Sequence, residues 1–533
     1  MSAHPRPDYF EYQQSTYSAL PRNVWQACCG DHLGGNREAL CWIDAQHHKH
    51  RYSFEQLDRW SAQFAHLLVA RGVSPGQRVA GLLPRRLELL IAVLGSWRAG
   101  AVYQPLFTAF GPKSLQHRIQ VGQTALLVAH RDQCDKLDAL PVLPPRLVLD
   151  AEDPGQDFWH ALEGLPTQFE PVPRAPDDPF LMMFTSGTTG LSKGLMVPLR
   201  ALPALASYMR YAVELRNDDV LWNLADPGWA YGLYYAITGP LLLGHATTFH
   251  EPPFTVQDCY RTIAELGVTN LMGAPTAFRM LMAAGEAAAL PHKGRLRVVS
   301  SAGEPLNPEV IRWFSAHLDV VIHDHYGQTE TGMTVCNHHG LNHPVRPGSA
   351  GFALPGYQVA VLDEHGKTLP PGIPGQLAIV VAQSPALFFQ GYWQQPTPAL
   401  RDGYYLTGDT VELNDDGSIS FVGRSDDVIT SAGYRIGPFD VESSLIEHPD
   451  VVEAAVIGKP DPQRTEIVVA YVVLRPGAEG DDALVQTLTK LVKQRLSAHA
   501  YPREIHFVAE LPKTPSGKIQ RFALRQALIN TGR

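Results

Sequence analysis

Apolar and polar positions along this chain alternate with two different periods, and the switches between them predict its elements. Ser53 to Arg71 carries apolar residues at helical spacing, with Ser53 and Glu55 at its start as capping residues, and predicts an amphipathic helix. Val79-Ala80-Gly81-Leu82-Leu83 predicts a buried strand, and Leu87 to Ala99 a second helix. The alternation recurs from 181 to 330, with strands expected near Val220–Leu224, Asn270–Met272, Arg297–Ser301 and Val320–His323. That rhythm belongs to a layered α/β domain. From Gly351 to Val381 the spacing shortens to strands broken by Pro and Gly, which predicts a small β-rich subdomain. A further strand–turn unit, Gly417 to Gly423, ends at Arg424. Beyond Asp427 an α+β pattern follows, with strands at Val451–Gly458, Glu466–Leu474 and Glu504–Val508 and a helix near Ala483–Leu496. The expected fold class is α/β: a large N-terminal domain, residues 1–425, and a small α+β C-terminal domain, residues 426–533.

Composition changes this picture little. A chain of 533 residues exceeds the size at which a single core keeps growing. A net charge of −9 argues against broad nucleic-acid binding, so an anionic substrate must meet a local basic patch. No apolar run approaches the length of a membrane span. Met1 to Ser15 contains Asp8 and Glu11 and no apolar run, so it reads as neither a signal nor a transit peptide. The six cysteines, without a CxxC pair, suit free thiols in a reducing cytoplasm. His47-His48-Lys49-His50 falls between two strand-like runs and reads as a hairpin turn rather than a metal cluster, and His338, His339 and His343 receive the same reading.

The most telling segment is Thr185-Ser186-Gly187-Thr188-Thr189-Gly190-Leu191-Ser192-Lys193-Gly194, set directly after the apolar run Phe180 to Phe184. Its glycines let backbone N–H groups close around an anion, its hydroxyls add donors and Lys193 adds charge, so it suits a polyphosphate. The kinase-type loop needs Gly before its Lys, where Ser192 stands, and the GxGxxG spacing is absent. A Ser/Thr/Gly-rich linker is the plain alternative, although linkers rarely abut a buried strand.

This loop resembles the phosphate loop of the acyl-adenylate-forming superfamily. Tyr326-Gly327-Gln328-Thr329-Glu330, Tyr405-Leu406-Thr407-Gly408-Asp409, Gly423-Arg424-Ser425-Asp426-Asp427 and Pro515-Ser516-Gly517-Lys518 match further motifs in the family's order. Ser431 to Pro438 and Leu511 to Thr514 are most similar to the medium-chain acyl-CoA synthetases. The resemblance implies an AMP-forming acid–thiol ligase using ATP, Mg²⁺ and coenzyme A, with a C-terminal domain that moves about a hinge at Asp426. It implies catalytic roles for Lys518, Thr329 and Glu330, the last as Mg²⁺ ligand. It implies an ATP site of Thr185, Ser186, Gly187, Thr188, Thr189, Gly190, Lys193, Gly303, Glu304, Pro305, Asp324, His325, Tyr326, Gly327, Gln328 and Thr329. Asp409 and Arg424 would take the ribose, and Arg435 and Lys518 the phosphates. Coenzyme A would meet Ala432, Gly433, Tyr434, Arg464, Tyr501 and Arg503. Lys518 would also be a target for a lysine acetyltransferase and deacetylase, since acetylation removes its charge.

For the acid, the resemblance implies a pocket of Trp229, Ala230, Tyr231, Ala302 and Gly327. Acetyl-specific relatives carry Trp at the position of Gly327, so a deeper pocket and a short-to-medium aliphatic acid are expected, while Tyr231 narrows it. Each buried CH₂ offers about 0.8 kcal/mol. Pro227 replaces the Thr usual in medium-chain relatives. An amino-acid substrate is disfavoured, because Pro227 to His250 contains no acidic residue. An aromatic acid clamped by Trp229, Tyr231, Tyr234 and Tyr235 stays open, as does transfer to a carrier protein. A non-catalytic nucleotide-binding protein is disfavoured by the presence of Lys193, Glu330, Asp409, Arg424 and Lys518.

Overall fold

The computed structural model describes residues 23–185, 192–431, 434–497, 499–514 and 518–531. The first residues (Met1 to Ser15 among them), Ser186 to Leu191, Ala432, Gly433 and Pro515 to Gly517 therefore lie outside the described residues.

Local chemistry explains how the first layer starts. Ser53 Oγ accepts from Gln56 N–H at 3.3 Å while Gln56 Oε1 accepts from Ser53 N–H at 2.9 Å, a reciprocal cap for the helix Phe54–Ala70. Glu55 instead accepts from the backbone of Gly34 and Asn36, pinning the preceding loop. The helix Leu87–Arg98 is buried along its whole length, including Glu88 and Arg98. Arg98 pays for that burial through Asp58, 2.6 Å away, and the face of Trp25, 3.8 Å from the ring centroid.

A six-stranded sheet runs in the order Arg146–Leu149, Thr124–His130, Arg78–Leu82, Val102–Pro105, Pro179–Thr185, Lys193–Pro198. It is parallel except for its last pair, which sets Thr185 opposite Lys193. A smaller sheet pairs Glu38–Ile43 with Lys49–Ser53 and Thr247–His250. His47 and His48 lie in the hairpin turn between the first two of those strands, while Lys49 and His50 already pair with Ile43 and Trp42 in the ladder.

The largest sheet has two halves. Leu221–Asn223, Asn270–Gly273, Val298–Ala302 and Ile322–Gln328 run parallel. From Gly332–Cys336 the pairing turns antiparallel through Ser349–Ala353, Ile419–Arg424, Tyr404–Leu413, Gly375–Val380 and Val359–Leu362. The β-rich segment thus continues the large sheet through Ser349–Ala353. Ile322–Gln328 extends beyond its expected end because His323, Asp324, His325 and Gln328 hide the strand in the apolar pattern.

The last sheet joins Tyr434–Ile436, Ile429–Ser431, Thr465–Leu474, Val451–Asp461 and Glu504–Phe507. Glu442, buried beneath it, accepts from Arg521 at 2.7 and 2.8 Å and from Val456 N–H at 2.8 Å. Arg521 and Arg525, on the terminal helix Arg521–Thr531, also reach Asp427 at 3.8 and 2.5 Å. All six cysteines are unpaired, and among the described residues no helix is long and apolar enough to cross a membrane.

Removing one partner of a buried ion pair strands the other, at a cost of about 3 kcal/mol or more. Glu442→Ala is therefore expected to accelerate hydrogen exchange in Arg521–Thr531 and Val451–Asp461, with exchange in Arg78–Leu82 unchanged. A uniform response along the chain would contradict this.

Candidate active site

Three strands deliver one buried carboxylate to the edge where the large sheet changes from parallel to antiparallel. Asp409, 3% exposed, lies opposite Arg424 in the strand register. It accepts from Tyr326 OH, from Gln328 Nε2 at 2.8 Å and from Arg424 Nη1 at 3.2 Å. Gln328 is itself fixed, because Tyr405 OH donates to its Oε1 at 2.7 Å and its Nε2 reaches Thr407 O at 2.8 Å. Burial raises the Asp409 pKa, and Arg424, Tyr326, Gln328 and Lys518 oppose that rise. Lys518, exposed and hydrogen-bonded through its backbone to Thr514, therefore stands near enough to act on Asp409. Arg424 Nε has no hydrogen-bond partner among the described residues and lies 3.7 Å from Asp426 Oδ1, tying the expected hinge to the same cluster.

Glu330 is the second buried acid, 7% exposed, with burial raising its pKa. Its Oε1 accepts from Tyr392 OH at 2.8 Å. Lys193 Nζ sits 4.7 Å from the centroid of the Tyr392 ring, so one tyrosine joins the lysine after the phosphate-type loop to this acid. His117 holds the exit of the loop through Ser192 O at 2.7 Å. Thr329 turns its carbonyl to Tyr234 OH at 2.9 Å.

Gly303, with φ +101°, opens the partly exposed turn Gly303-Glu304-Pro305. Glu304 meets Thr276 and Arg279 at 3.3 Å, and Arg279 comes within 4.0 Å of Glu453 on the C-terminal sheet. Asp324 accepts from Leu306 N–H at 3.2 Å, but its buried Oδ1 has no hydrogen-bond partner among the described residues, and burial pushes its pKa up to about 8. His325, expected at the nucleotide, has its ring committed elsewhere, to Tyr208 OH at 2.8 Å and Asn337 O at 2.9 Å.

The space expected at Gly327 is already filled by backbone. A Cβ there would stand 2.2 Å from Gly332 O and 2.6 Å from Met333 Cα, so the glycine is demanded by the close approach of the next strand rather than by pocket depth. Trp229 packs against Phe107 and Phe110 at 5.6 and 5.2 Å between centroids. Ala302 lies opposite His325 in the sheet, and Tyr231 OH contacts Tyr208 OH at 3.1 Å. Trp229, Ala230 and Tyr231 keep accessible surface, whereas Tyr234 and Tyr235 are core residues, the latter accepting from Met333 N–H at 2.9 Å. Four aromatic rings therefore do not form a clamp. The turn at Pro227 closes through Gly228 N–H to Asp226 Oδ1 at 2.7 Å and needs no hydroxyl there.

Beside the C-terminal sheet, in the segment between the helix Asp482–Arg495 and the strand Glu504–Phe507, Tyr501 lies between Lys493 and Arg503, 4.0 and 4.8 Å from its ring centroid. Tyr434 stacks on His499 at 4.0 Å, and Arg464 N–H donates to Asp461 at 2.8 Å. His338, His339 and His343 are structural imidazoles. His339 donates to Val299 O and stacks on His323, and burial lowers the pKa of His338 to about 3. No group of three metal-binding side chains forms among the described residues. Tyr392, Tyr405 and Tyr208 were not singled out from the sequence; each acts through a distant segment, and only Tyr405 lies in a motif.

Comparison with known proteins places this fold among the ATP-dependent ligases that activate carboxylic acids as acyl-CoA. The chain belongs to the AMP-binding enzyme family, whose model matches residues 31–393 and whose C-terminal domain model matches residues 440–518. It is 38% identical over 529 residues to an acetyl-coenzyme A synthetase of Bacillus subtilis, covering 97% of this chain and 91% of that protein. It is 35% identical to the mitochondrial acyl-coenzyme A synthetase ACSM4 of Rattus norvegicus, covering 91% and 86%. The crystal structure of a Brucella canis acyl-CoA synthetase superposes with a TM-score of 0.77 at 57% identity, covering 96% of this chain and 95% of that one.

The raised pKa of Asp324 has a signed consequence. Between its ordinary value of 3.8 and about 8 the unfolded chain has released a proton that the folded chain retains, so this residue makes stability fall as pH rises through that window. Asp324→Asn is expected to gain stability over the parent as pH goes from 5 to 8 in denaturant titrations. A gap that stays constant would contradict the assignment.

Proposed function

We propose that this enzyme joins short-to-medium-chain carboxylic acids to coenzyme A in two steps. The observation that carries the reading is the Tyr326–Asp409–Arg424–Gln328 cluster, with Glu330 and Lys193 on one side and Lys518 within electrostatic reach. In the first step a carboxylate oxygen attacks the α-phosphorus of ATP, the new O–P bond forms, and the bond to the bridging oxygen breaks to release pyrophosphate. Both reactants are anions, so fixed positive charge is the main requirement. Lys193 and the loop from Thr185 hold the β- and γ-phosphates, and Asp409 accepts from the ribose hydroxyls, with Arg424 holding that carboxylate in place. Gly303-Glu304-Pro305 and Tyr326 border the base, and Lys518 bridges carboxylate and α-phosphate.

Glu330 suits a Mg²⁺ ion: it is a buried carboxylate without an ion-pair partner among the described residues, and a hard cation needs one or two carboxylates besides phosphate and water. Bound there, the ion would screen the phosphate charge. The rest is done by the chain. Tyr392 orients Glu330, and Gln328, held by Tyr405, orients Asp409.

The division falls at Arg424–Asp427, with residues 426–533 turning about Asp426 for the second step. The thiol then gives up its proton to solvent and its sulfur attacks the acyl carbon, a C–S bond forms, and AMP leaves with the electrons of the acyl–oxygen bond. The Tyr434–His499 stack and the Lys493–Tyr501–Arg503 group supply the coenzyme A face. The accessible Lys518 also suits reversible acetylation.

Lys518→Ala is expected to slow acyl-AMP formation about 10²–10³-fold while leaving conversion of preformed acyl-AMP to acyl-CoA near the parental rate. Single-turnover assays of the two half-reactions check this, and equal losses in both would overturn the role of Lys518.

A further inference from the structure

From Tyr231, a partly buried residue, runs a hydrogen-bond chain whose direction can be worked out atom by atom. His325 Nε2 is 2.9 Å from Asn337 O, and a carbonyl only accepts, so Nε2 carries the hydrogen. Burial lowers the His325 pKa well below its ordinary value, so the ring is neutral and Nδ1 is a bare acceptor. Tyr208 OH, 2.8 Å from Nδ1, must then donate to it. A phenol has one proton. The 3.1 Å contact between Tyr208 and Tyr231 is therefore made by Tyr231 donating to Tyr208, and what the Tyr231 oxygen still offers is lone pairs only. No other described side chain engages that hydroxyl.

This acceptor belongs to the residues that the resemblance assigns to the acyl pocket. Tyr231 follows Trp229, whose ring packs on Phe107 and Phe110 as an apolar wall. His325 sits beside Ala302 in the sheet and immediately precedes Tyr326 of the Asp409 cluster. Tyr208 and His325 are buried while Tyr231 retains accessible surface. Tyr208 opens one π-helical turn, Tyr208–Ala212, and Tyr231 precedes another, Leu233–Thr238; such irregular turns recur at functional sites.

We infer that the acyl pocket selects an acid whose tail carries a hydroxyl group, which donates its hydrogen bond to the phenol oxygen of Tyr231. The inference rests on the acid-activating reading and deepens it. An alkyl tail leaves the lone pairs facing hydrocarbon. A ketone or second carboxylate places acceptor against acceptor. The order of preference is hydroxy over alkyl over oxo.

Matched acids test this with the full-length enzyme, ATP and coenzyme A, following AMP release. The series is 4-hydroxypentanoate, 4-methylpentanoate and 4-oxopentanoate, together with 3-hydroxybutyrate and 3-methylbutyrate. In at least one series the hydroxy acid is expected to exceed its methyl counterpart in kcat/KM by about tenfold, the worth of one hydrogen bond, with the oxo acid lowest. Tyr231→Phe should erase that ratio. Tyr208→Phe removes the inward acceptor and turns the Tyr231 proton outward, so the oxo acid should gain on the hydroxy acid, a reversal that loss of packing would not produce. Alkyl acids equal to or better than hydroxy acids in both series would overturn the inference and leave the ligase reading intact. No AMP release with any acid would overturn that reading, and this inference with it.

Discussion

The buried carboxylate of Asp409 is the constraint on which this site depends. An isolated carboxylate in an apolar interior is costly, and it is retained only where donors converge on it. Here Tyr326, Gln328 and Arg424 arrive from two other strands, and each is placed only if the sheet has its observed register. The carboxylate therefore locks the parallel half of the sheet to its antiparallel half. Because Arg424 is the last residue of its strand and lies near Asp426, the same carboxylate fixes where the C-terminal segment departs.

The change of strand direction explains why the site lies at this edge. Parallel strands end in loops on one side of the sheet, and ligands bind outside their carboxyl ends. Ile322–Gln328 is the last of the parallel strands, and its partner Gly332–Cys336 returns at once through a turn so tight that position 327 admits only glycine. Glu330 lies within that turn, and Tyr392 reaches it from a distant segment. Asp427, bound to Arg521 and Arg525, ties the terminal helix that follows Lys518 to the same junction.

The sequence made the layered α/β order legible wherever apolar periodicity was clean, as at Phe54–Ala70 and Leu87–Arg98. Where polar residues fill a strand the pattern is silent, and Ile322–Gln328 runs past the apolar stretch that marks its start. The reversal at Gly332 lies in turn geometry that composition does not carry. Motif residues such as Asp409, Arg424 and Glu330 could be named, but not the tyrosines that hold them, because Tyr392 and Tyr405 act across tens of residues of chain. Gly327 shows the hazard of reading a small residue as empty volume: the adjacent strand occupies the space. Tyr231 shows the reverse, since its role depends on a hydrogen direction set three residues away through space.

The most direct test of this account is AMP binding by calorimetry to the parent enzyme and to Asp409→Asn, with thermal unfolding measured alongside. If the carboxylate accepts from the ribose hydroxyls, affinity falls about a hundredfold, the worth of two hydrogen bonds to a charged acceptor, while the protein stays folded. Unchanged affinity with a lowered unfolding temperature would show that Asp409 only ties strands together, and would contradict its place at the centre of the site.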